Sequence, residues 1–451
     1  MYSPTRRSFI RQTACAALGT TGLINTIFDL RKLSAATASV ASDYRALVCL
    51  FLYGGNDANN VIVPHDTTGY NSYSTARGAL AIPRASLLPL TLSGGRDFGF
   101  HPNLPELKTL FDQGKLALVS NVGTLVGPVT RAQYLAGGAA VPPQLFSHSD
   151  QSVQWQTSWP DQPAKTGWAG RTADLLQSLN PDSRVSLTIS IAGTNTFEVG
   201  NTVIPYQITP GGTIGLTGIS GSTNANIRFQ AFKDLLAQPH NSLFEQAYAD
   251  TVSRSVADND FITTALNGVA PLTTVFPGTS LGQQLAMVAK MIGARSNLSM
   301  QRQIFFVSVG GYDTHGGQLT AQANLLTELS QGMKAFYDAT IEMGLAQSVT
   351  TFTASDFGRT YAINGDGSDH GWGSHQFVMG GSVLGGDLYG TFPTLAVNGP
   401  DDTGQGRWIP TTSVDEFSAT MASWFGVSGS ELATVFPNIG RFAHPNLGFL
   451  V

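Results

Sequence analysis

Two short apolar runs, each followed by a glycine-flanked acidic loop, dominate the hydrophobic pattern of the C-terminal half. The first begins at Ile304 and runs into GGYDTHGG, and the second begins at Phe352 and runs into SDFGRT. Between them, residues 319–345 place apolar side chains near the spacing of a helix. Strand, helix and strand of this length form a βαβ unit, so we expect the two strands to be parallel neighbours.

The remaining pattern predicts further strands of the same sheet. Residues 46–53 read ALVCLFLY, an uninterrupted apolar run that is typical of a central strand buried on both faces. Residues 116–122 and the QFVMGG run after His375 predict two more strands. Amphipathic helices are predicted between and after them, ending with residues 413–425. The sequence therefore predicts an α/β fold with a mostly parallel sheet.

The middle of the chain differs in composition and in its pattern of predicted elements. Residues 161–277 alternate Ser/Thr/Gly-rich short strands with helices, and they contain no cluster of acids, histidines or aromatic residues. We interpret this segment as an insertion or cap over the sheet edge that shapes a substrate pocket. The domain as a whole is predicted to span residues 42–451.

Composition limits the classes of function. Hydrophobic residues make up 42% of the 451 residues, which is enough for a substantial core. A formal net charge of −5, without any basic cluster, argues against nucleic acid as a partner. The two cysteines are Cys15 and Cys49, so loss of a leader that contains Cys15 leaves no internal disulfide.

The N-terminus predicts export. Arg6 and Arg7, followed by Ser, Phe and Ile and then a weakly apolar run, match a twin-arginine signal over residues 1–41. The alternatives are an ordinary positively charged leader or a fraying helix. The apolar run is too short to span a membrane, so we expect no stable membrane span after processing. The predicted partner is the twin-arginine export machinery, and the predicted location is the periplasm or the medium.

The acidic loops predict a metal site. Parallel strands place their following loops on one edge of the sheet, where open α/β sheets bind their ligands. Carboxylates and imidazoles gathered there suit a divalent metal, with zinc preferred and manganese or calcium as alternatives. Asp57 follows the first strand on the same edge, although GGND also makes a turn by itself. The predicted metal ligands are Asp57, Asp313, His315, Asp356, Asp369, His370 and His375.

Three further residues are candidates for catalysis. Ser147 begins a predicted helix, where the dipole and free N–H groups favour a nucleophile, although a serine there is more often only a cap. His148 is its nearest helper. Arg359 offers a guanidinium fork for an anionic ester substrate, or it serves as a partner for Asp356.

Together the motifs GGNDANN, SHSDQSVQWQT, GGYDTHGGQ, SDFGRT and SDHGWGSH resemble the alkaline phosphatase and sulfatase superfamily. More closely, the chain resembles a bacterial twin-arginine-exported family of unknown function within it. The resemblance implies a three-layer α/β/α sandwich with a metal cluster at the strand ends. It also implies roles for residues at the matching positions. These are Asp57, Asp313, His315, Asp356 and His370 as ligands and Ser147 as the nucleophile.

Two departures from the superfamily pattern matter. Asp356-Phe357-Gly358 stands where the superfamily commonly has Asp-His-Gly, so Asp369, His370 or His375 replaces that imidazole or the site holds one metal. Neither cysteine lies in a Cys-x-Pro-x-Arg setting, which argues against formylglycine chemistry. Two hypotheses follow. The chain is a metal-dependent hydrolase of a phosphate or sulfate ester, or a non-catalytic exported protein that binds a partner or builds the envelope.

Overall fold

The strands of the protein come from nearly the whole length of the chain. The structure, a computed structural model, describes residues 44–451 apart from positions 183, 217, 220 and 241. The predicted leader, residues 1–41, lies outside the described residues. The strands are β1 (Arg45–Leu52), β2 (Ile62–Pro64), β3 (Leu88–Thr91), β4 (Asp97–Phe100), β5 (Leu116–Gly123), β6 (Thr188–Ser190), β7 (Tyr206–Thr209), β8 (Gly212–Thr213), β9 (Arg302–Val309), β10 (Val349–Ser355), β11 (Arg359–Asn364), β12 (Gly367–His370), β13 (Ser374–Gly380), β14 (Leu388–Tyr389) and β15 (Thr412–Ser413).

The α-helices connect these strands. They are α1 (Thr67–Arg77), α2 (Pro105–Asp112), α3 (Arg131–Leu135), α4 (His148–Thr157), α5 (Trp168–Leu176), α6 (Thr223–Leu236), α7 (Leu243–Asn267), α8 (Ser280–Gly293), α9 (Gln318–Glu342), α10 (Val414–Phe425) and α11 (Leu432–Val435). In the part of the chain that the structure describes, no helix is both long enough and apolar enough to cross a membrane.

Ten strands form one central sheet. Its order is β14-β5-β13-β10-β1-β9-β6-β7-β8, with β15 also paired to β5. Most pairs are parallel, whereas β13 runs antiparallel between β5 and β10, and β8 runs antiparallel to β7. The predicted α/β fold with a mostly parallel sheet is confirmed.

Strand β1 occupies the middle of the sheet, as its continuous apolar run predicts. Leu47, Cys49 and Phe51 enter the main core, and Cys49 is a free, buried thiol. The expectation that β9 and β10 are neighbours is wrong, because β1 lies between them and pairs in parallel with both. The most apolar strand, buried on both faces, is the one that takes the central position.

Helices cover both faces of the sheet. Helices α4, α5, α10 and α11 enclose the core around Trp168 and Phe417. On the other face, α9 packs against both α2 and α8, and these two helices contact β5 and β9. The result is the three-layer α/β/α arrangement that the sequence resemblance implies.

Residues 161–277 do more than cap the sheet. They supply β6, which pairs with β9 of the central sheet, and Trp168, whose indole lies in the main core. Helices α6 and α7 are exposed over most of their length. These two helices therefore contribute little to the core.

Candidate metal centre

Several elements meet at the carboxyl edge of the sheet. Strands β1, β9 and β10 end level with one another, because Leu52 lies opposite both Val309 and Ser355. After β10, the chain forms the hairpin β11–β12 in a stretch where the sequence predicts only a loop. Helix α4 begins at the same edge. These elements bring together four side chains that can bind a metal: His148, Asp313, His315 and His370.

Three imidazole nitrogens surround one carboxylate, and the ligand atoms of His148, Asp313 and His370 all lie within 4.8 Å of one another. Nε2 of His370 lies 3.1 Å from Nε2 of His148 and 3.0 Å from Nε2 of His315. Oδ1 of Asp313 lies 3.3 Å from Nε2 of His370 and 3.1 Å from Nε2 of His315. Oδ2 of Asp313 lies 3.4 Å from Nε2 of His148. We call these four residues the metal cluster.

The outer nitrogens of two of these rings are held from behind. Nδ1 of His370 donates to the carbonyl oxygen of Phe146 at 2.8 Å, and Nδ1 of His148 lies 2.6 Å from Oδ2 of Asp356. Burial lowers the pKa of the His370 imidazole, and the positive charge of Arg359 adds to this effect. A neutral ring that donates through Nδ1 presents an unprotonated Nε2, which is the form that binds metal.

Asp369 plays the same part for the third ring. Its Oδ1 lies 3.4 Å from Nδ1 of His315 and accepts a hydrogen bond from the Asn364 amide at 3.0 Å. Asp369 therefore orients His315 from outside the metal cluster. Histidines that bind metals commonly have such partners.

The metal cluster fits a divalent cation. Nε2 of His370 lies 3.0–3.1 Å from Nε2 of both other rings, and a cation between nitrogens that carry lone pairs would be bound by them together. Ligands about 2.05 Å from a tetrahedral zinc are about 3.3 Å from one another, close to the separations in this cluster. Three histidines and one carboxylate form a donor set typical of zinc.

Arg359 anchors the carboxylate of the cluster. Its buried Nη1 donates to Oδ1 of Asp313 at 2.7 Å and to the carbonyl oxygen of Gly54 at 3.2 Å, and Nη2 donates to the carbonyl oxygen of Ser368. Partial burial raises the pKa of Asp313, but Arg359 and the neighbouring histidines outweigh it and lower that pKa. The guanidinium is thus engaged by the protein on both Nη atoms. Its acidic partner is Asp313, not Asp356.

Asp356 lies directly behind His148. Burial raises the pKa of its carboxyl, although the bonds from His148 and from the Gly54 amide oppose this effect. Its Oδ1 is buried and has no hydrogen-bond partner among the described residues. The structure places Asp356 as a partner of a ligand, one bond away from the metal cluster.

The structure does not bring Asp57 into the metal cluster. Oδ2 of Asp57 accepts hydrogen bonds from the guanidinium of Arg77 and the amide of Gln318, and Oδ1 accepts from the Asn59 N–H at 3.2 Å. Both members of the Asp57–Arg77 ion pair are buried. Because this carboxylate already has a cation and further donors, it has no need of a metal for its charge.

His375 also lies elsewhere. Its Nδ1 accepts from the Asn121 N–H at 3.0 Å, and its ring stacks on Phe392 with centroids 4.7 Å apart. Burial lowers the pKa of this imidazole from 6.5 to about 3. His375 is a neutral histidine of the interior, not a member of the metal cluster.

Ser147 precedes the first residue of α4, as predicted, but its side chain does not cap the helix. Its hydroxyl donates to Oδ2 of Asp150 at 2.5 Å and lies 3.2 Å from the hydroxyl of Ser149. His148, predicted as a helper of Ser147, instead points its ring into the metal cluster. The motif Ser147-His148 at the start of the helix was the sequence signal for this role, although the sequence gives no indication that the histidine, and not the serine, faces the other ligands.

A cavity of about 690 Å³ opens beside the metal cluster. His148, Asp313 and Asp356 form one side of it, and Tyr53 and Lys165 lie on its other walls. The sequence pattern does not distinguish these last two residues from others. Neither a tyrosine at the end of a strand nor a lone lysine in a loop has a pattern that indicates a site.

Three solved structures are similar to this chain at low identity. The PsFucS1 sulfatase from Pseudoalteromonas sp. is 9% identical, with 89% of this chain and 72% of that chain covered and a TM-score of 0.36. A protein in the alkaline phosphatase superfamily from Vibrio parahaemolyticus is 10% identical, with 86% and 67% covered and a TM-score of 0.35. The phosphonate monoester hydrolase of Agrobacterium radiobacter is 10% identical, with 85% and 74% covered and a TM-score of 0.31.

No curated protein matches the chain in sequence. One family model matches it from residue 44 to residue 437, so the match includes β1, the whole central sheet and every member of the metal cluster. By this match the chain belongs to the family described as protein of unknown function (DUF1501).

Proposed function

We propose that this protein is a metal-dependent hydrolase of a phosphate or sulfate ester. The observation that carries the proposal is the convergence of three histidine Nε2 atoms on the Asp313 carboxylate beside a cavity. His148, His315, His370 and Asp313 would hold the ion, with zinc preferred because imidazole dominates the donor set. When bound, such an ion supplies positive charge to the transferred group and activates a nearby oxygen nucleophile.

The chain's own residues preorganise this site. The Phe146 carbonyl and Asp356 fix two imidazole rings, and Arg359 fixes the Asp313 carboxylate. Groups already held in place need not reorganise during the reaction, which is how electrostatic catalysis lowers a barrier.

Ser147 is our proposed nucleophile. Its hydroxyl donates to the Asp150 carboxylate, which is therefore in position to take up the proton as the oxygen attacks. The N–H groups of the first turn of α4 favour an anion at this place. Ser149 is the competing hydroxyl, because it lines the cavity and lies 3.2 Å from Oδ2 of Asp150.

Matched alanine variants separate the two serines. Ser147→Ala is expected to reduce kcat by at least about 100-fold with the metal retained, whereas Ser149→Ala keeps most of the turnover. Near-full turnover by a folded, metal-loaded Ser147→Ala protein would refute the assignment. If Ser149→Ala loses kcat instead, the nucleophile is Ser149.

The hydrolase proposal is tested by elemental analysis and by turnover of an aryl phosphate and an aryl sulfate. About one divalent ion per chain and turnover that a chelator abolishes are the expected results. One observation favours the non-catalytic alternative: Asp57 is committed to Arg77, so the described acids and histidines gather ligands for a single ion. A stoichiometric metal without turnover of either ester class would support that alternative.

We also propose export through the twin-arginine route, which rests on the Arg6-Arg7 motif alone. Replacing both arginines by lysine keeps the charge of the leader and removes the paired arginines. The expected result is an unprocessed precursor in the cytoplasm. Normal processing and periplasmic recovery of the double variant would exclude this route.

A further inference from the structure

Tyr53 is the first residue after β1, and it lines the cavity that the metal cluster borders. Its ring packs against Phe51, with ring centroids 4.4 Å apart. The backbone on either side is held as well, because the Tyr53 N–H donates to the Val309 carbonyl at 2.9 Å. The hydroxyl is therefore presented to the cavity from a fixed position at the end of the central strand.

The hydrogen bond between Gln156 and Tyr53 has one possible direction. The Gln156 side-chain carbonyl accepts from the backbone N–H groups of Thr196 at 2.8 Å and Phe197 at 3.1 Å. These two donors fix the orientation of the amide, so its NH₂ group faces the Tyr53 hydroxyl at 3.2 Å. An amide nitrogen only donates. The Tyr53 oxygen is therefore the acceptor, and the phenolic proton remains to be donated elsewhere.

The protein supplies no acceptor for that proton. Among the residues that the structure describes, the bond from Gln156 is the only one made by the Tyr53 hydroxyl. Other tyrosines of the chain donate to carbonyl oxygens, as Tyr389 does to Leu384 at 2.6 Å. Burial raises the pKa of Tyr53 to about 12, and the Asp356 carboxylate adds to this effect while the Gln156 bond opposes it. The phenol therefore keeps its proton at neutral pH.

We propose that Tyr53 is a substrate-binding residue that donates a hydrogen bond to an oxygen of the phosphate or sulfate group. This assignment rests on the proposed hydrolase function. Lys165 lines the same cavity, and its side chain makes no hydrogen bond or ion pair among the described residues. A cation and a free donor facing one cavity complement an oxyanion, whose oxygens only accept.

The first experiment compares Tyr53→Phe with Tyr206→Phe, a control in β7 that does not line the cavity. Both variants are expected to hold as much metal as the wild type. For Tyr53→Phe, kcat/KM falls about 10- to 100-fold, the usual effect of losing a hydrogen bond to a charged group. The pH profile of kcat/KM keeps its shape, because this group donates without titrating. Turnover by Tyr53→Phe within twofold of the control would overturn the proposal.

A second variant tests the direction of the bond. Gln156→Glu keeps the carbonyl that accepts from the backbone but replaces the amide donor by an acceptor, which draws the phenolic proton away from the cavity. We expect a loss in kcat/KM similar to that of Tyr53→Phe. In the Tyr53→Phe background the same change is expected to cost clearly less than in the wild type, because only repulsion between the new carboxylate and the anion remains. An equal loss in both backgrounds would show that the added charge acts independently of Tyr53, and would contradict the inferred hydrogen bond.

A binding measurement separates this proposal from the proposed function. The zinc-loaded protein is titrated calorimetrically with inorganic phosphate and with inorganic sulfate. We expect Tyr53→Phe to weaken the Kd of the bound anion about tenfold and Tyr206→Phe to leave it unchanged. This result supports Tyr53 even if no ester is turned over, in which case only the hydrolase proposal fails. Equal Kd values for the wild type and Tyr53→Phe, or no anion binding by either, would overturn the role of Tyr53.

Discussion

Asp57 and Asp313 follow strands of the same sheet on the same edge, yet their surroundings differ in one decisive way. Asp57 is buried against Arg77, with Gln318 and Asn59 completing its hydrogen bonds. Asp313 is 45% exposed at its side chain and faces three imidazoles, with a guanidinium on one oxygen. The protein neutralises the first acid by itself and places the second among three imidazoles that can bind a cation together with it.

The difference shows that position at the sheet edge does not make an acid a metal ligand. A buried carboxylate with a full set of protein donors has its desolvation compensated already. A carboxylate among unprotonated nitrogens gains most from a metal. Each of the following experiments changes one side of this contrast.

The largest effect is expected from His370→Ala, because Nε2 of His370 contacts each of the other three members of the metal cluster. Metal affinity should fall well beyond the 10- to 100-fold typical of the outer partners of ligands. Elemental analysis and ester turnover measure the loss. His65→Ala removes a histidine paired with Asp97 away from the site and serves as the control. Full metal content in His370→Ala would show that these residues do not hold the ion, and the contrast between Asp313 and Asp57 would then not concern metal binding.

Asp57→Asn should act on stability and not on the metal. Loss of the carboxylate leaves Arg77 as an uncompensated buried charge, which costs about 3–5 kcal/mol. The free energy of unfolding in urea measures this cost, and elemental analysis should find unchanged metal. The double variant Asp57→Asn/Arg77→Met removes the stranded charge and is expected to recover part of the stability. Loss of the metal in Asp57→Asn without a loss of stability would reverse the roles of the two acids.

Asp369→Asn should have a smaller effect on the metal than loss of a ligand. Asp369 touches only the outer nitrogen of His315 within the cluster, so its replacement loosens that ring without removing a donor. Such partners are worth about 10- to 100-fold in metal affinity. A competition titration with a chelating dye measures the change. Asp97→Asn is the matched control, since it removes the carboxylate of a pair that lies elsewhere.

The smallest effect concerns His375, the histidine outside the cluster. In the folded protein the pKa of His375 is about 3, below the ordinary 6.5. Between these two values the imidazole is protonated in the unfolded chain and neutral in the folded protein. Its contribution to stability is therefore fully present above pH 6.5 and is lost as the pH falls toward 3. Between pH 7 and 5.5 the wild type should lose about 1 kcal/mol more than His375→Asn. Parallel pH dependences of the two unfolding free energies would contradict this assignment.

The sequence was sufficient to identify the strands that carry the site. The continuous apolar runs of β1, β9 and β10, each ending in a polar loop, predicted both the parallel sheet and its functional edge. The runs could not predict that β1 separates β9 from β10, because strand order depends on how whole layers pack. The resemblance to a superfamily added the three-layer arrangement.

The site itself was less predictable. Arg77 ends a polar helix, and no local pattern indicates that its side chain is buried against Asp57 from 20 positions away. The hairpin β11–β12, which places His370 opposite Arg359, follows glycine-rich sequence that also suits a loop. His148 shares a helix start with Ser147, and only the packing of α4 shows which of the two faces the cluster. Contacts between distant segments decide each of these cases.

The metal cluster also sets an order of events during synthesis. His148 and His370, whose Nε2 atoms are 3.1 Å apart, are separated by 222 positions in the chain. At about 5–20 residues per second, the ribosome needs roughly 10–45 s to make the stretch between them. An ion caught early has too few donors to be retained, so the complete set exists only once most of the protein has emerged. A bound ion would then indicate a chain in which segments far apart in sequence have already packed together.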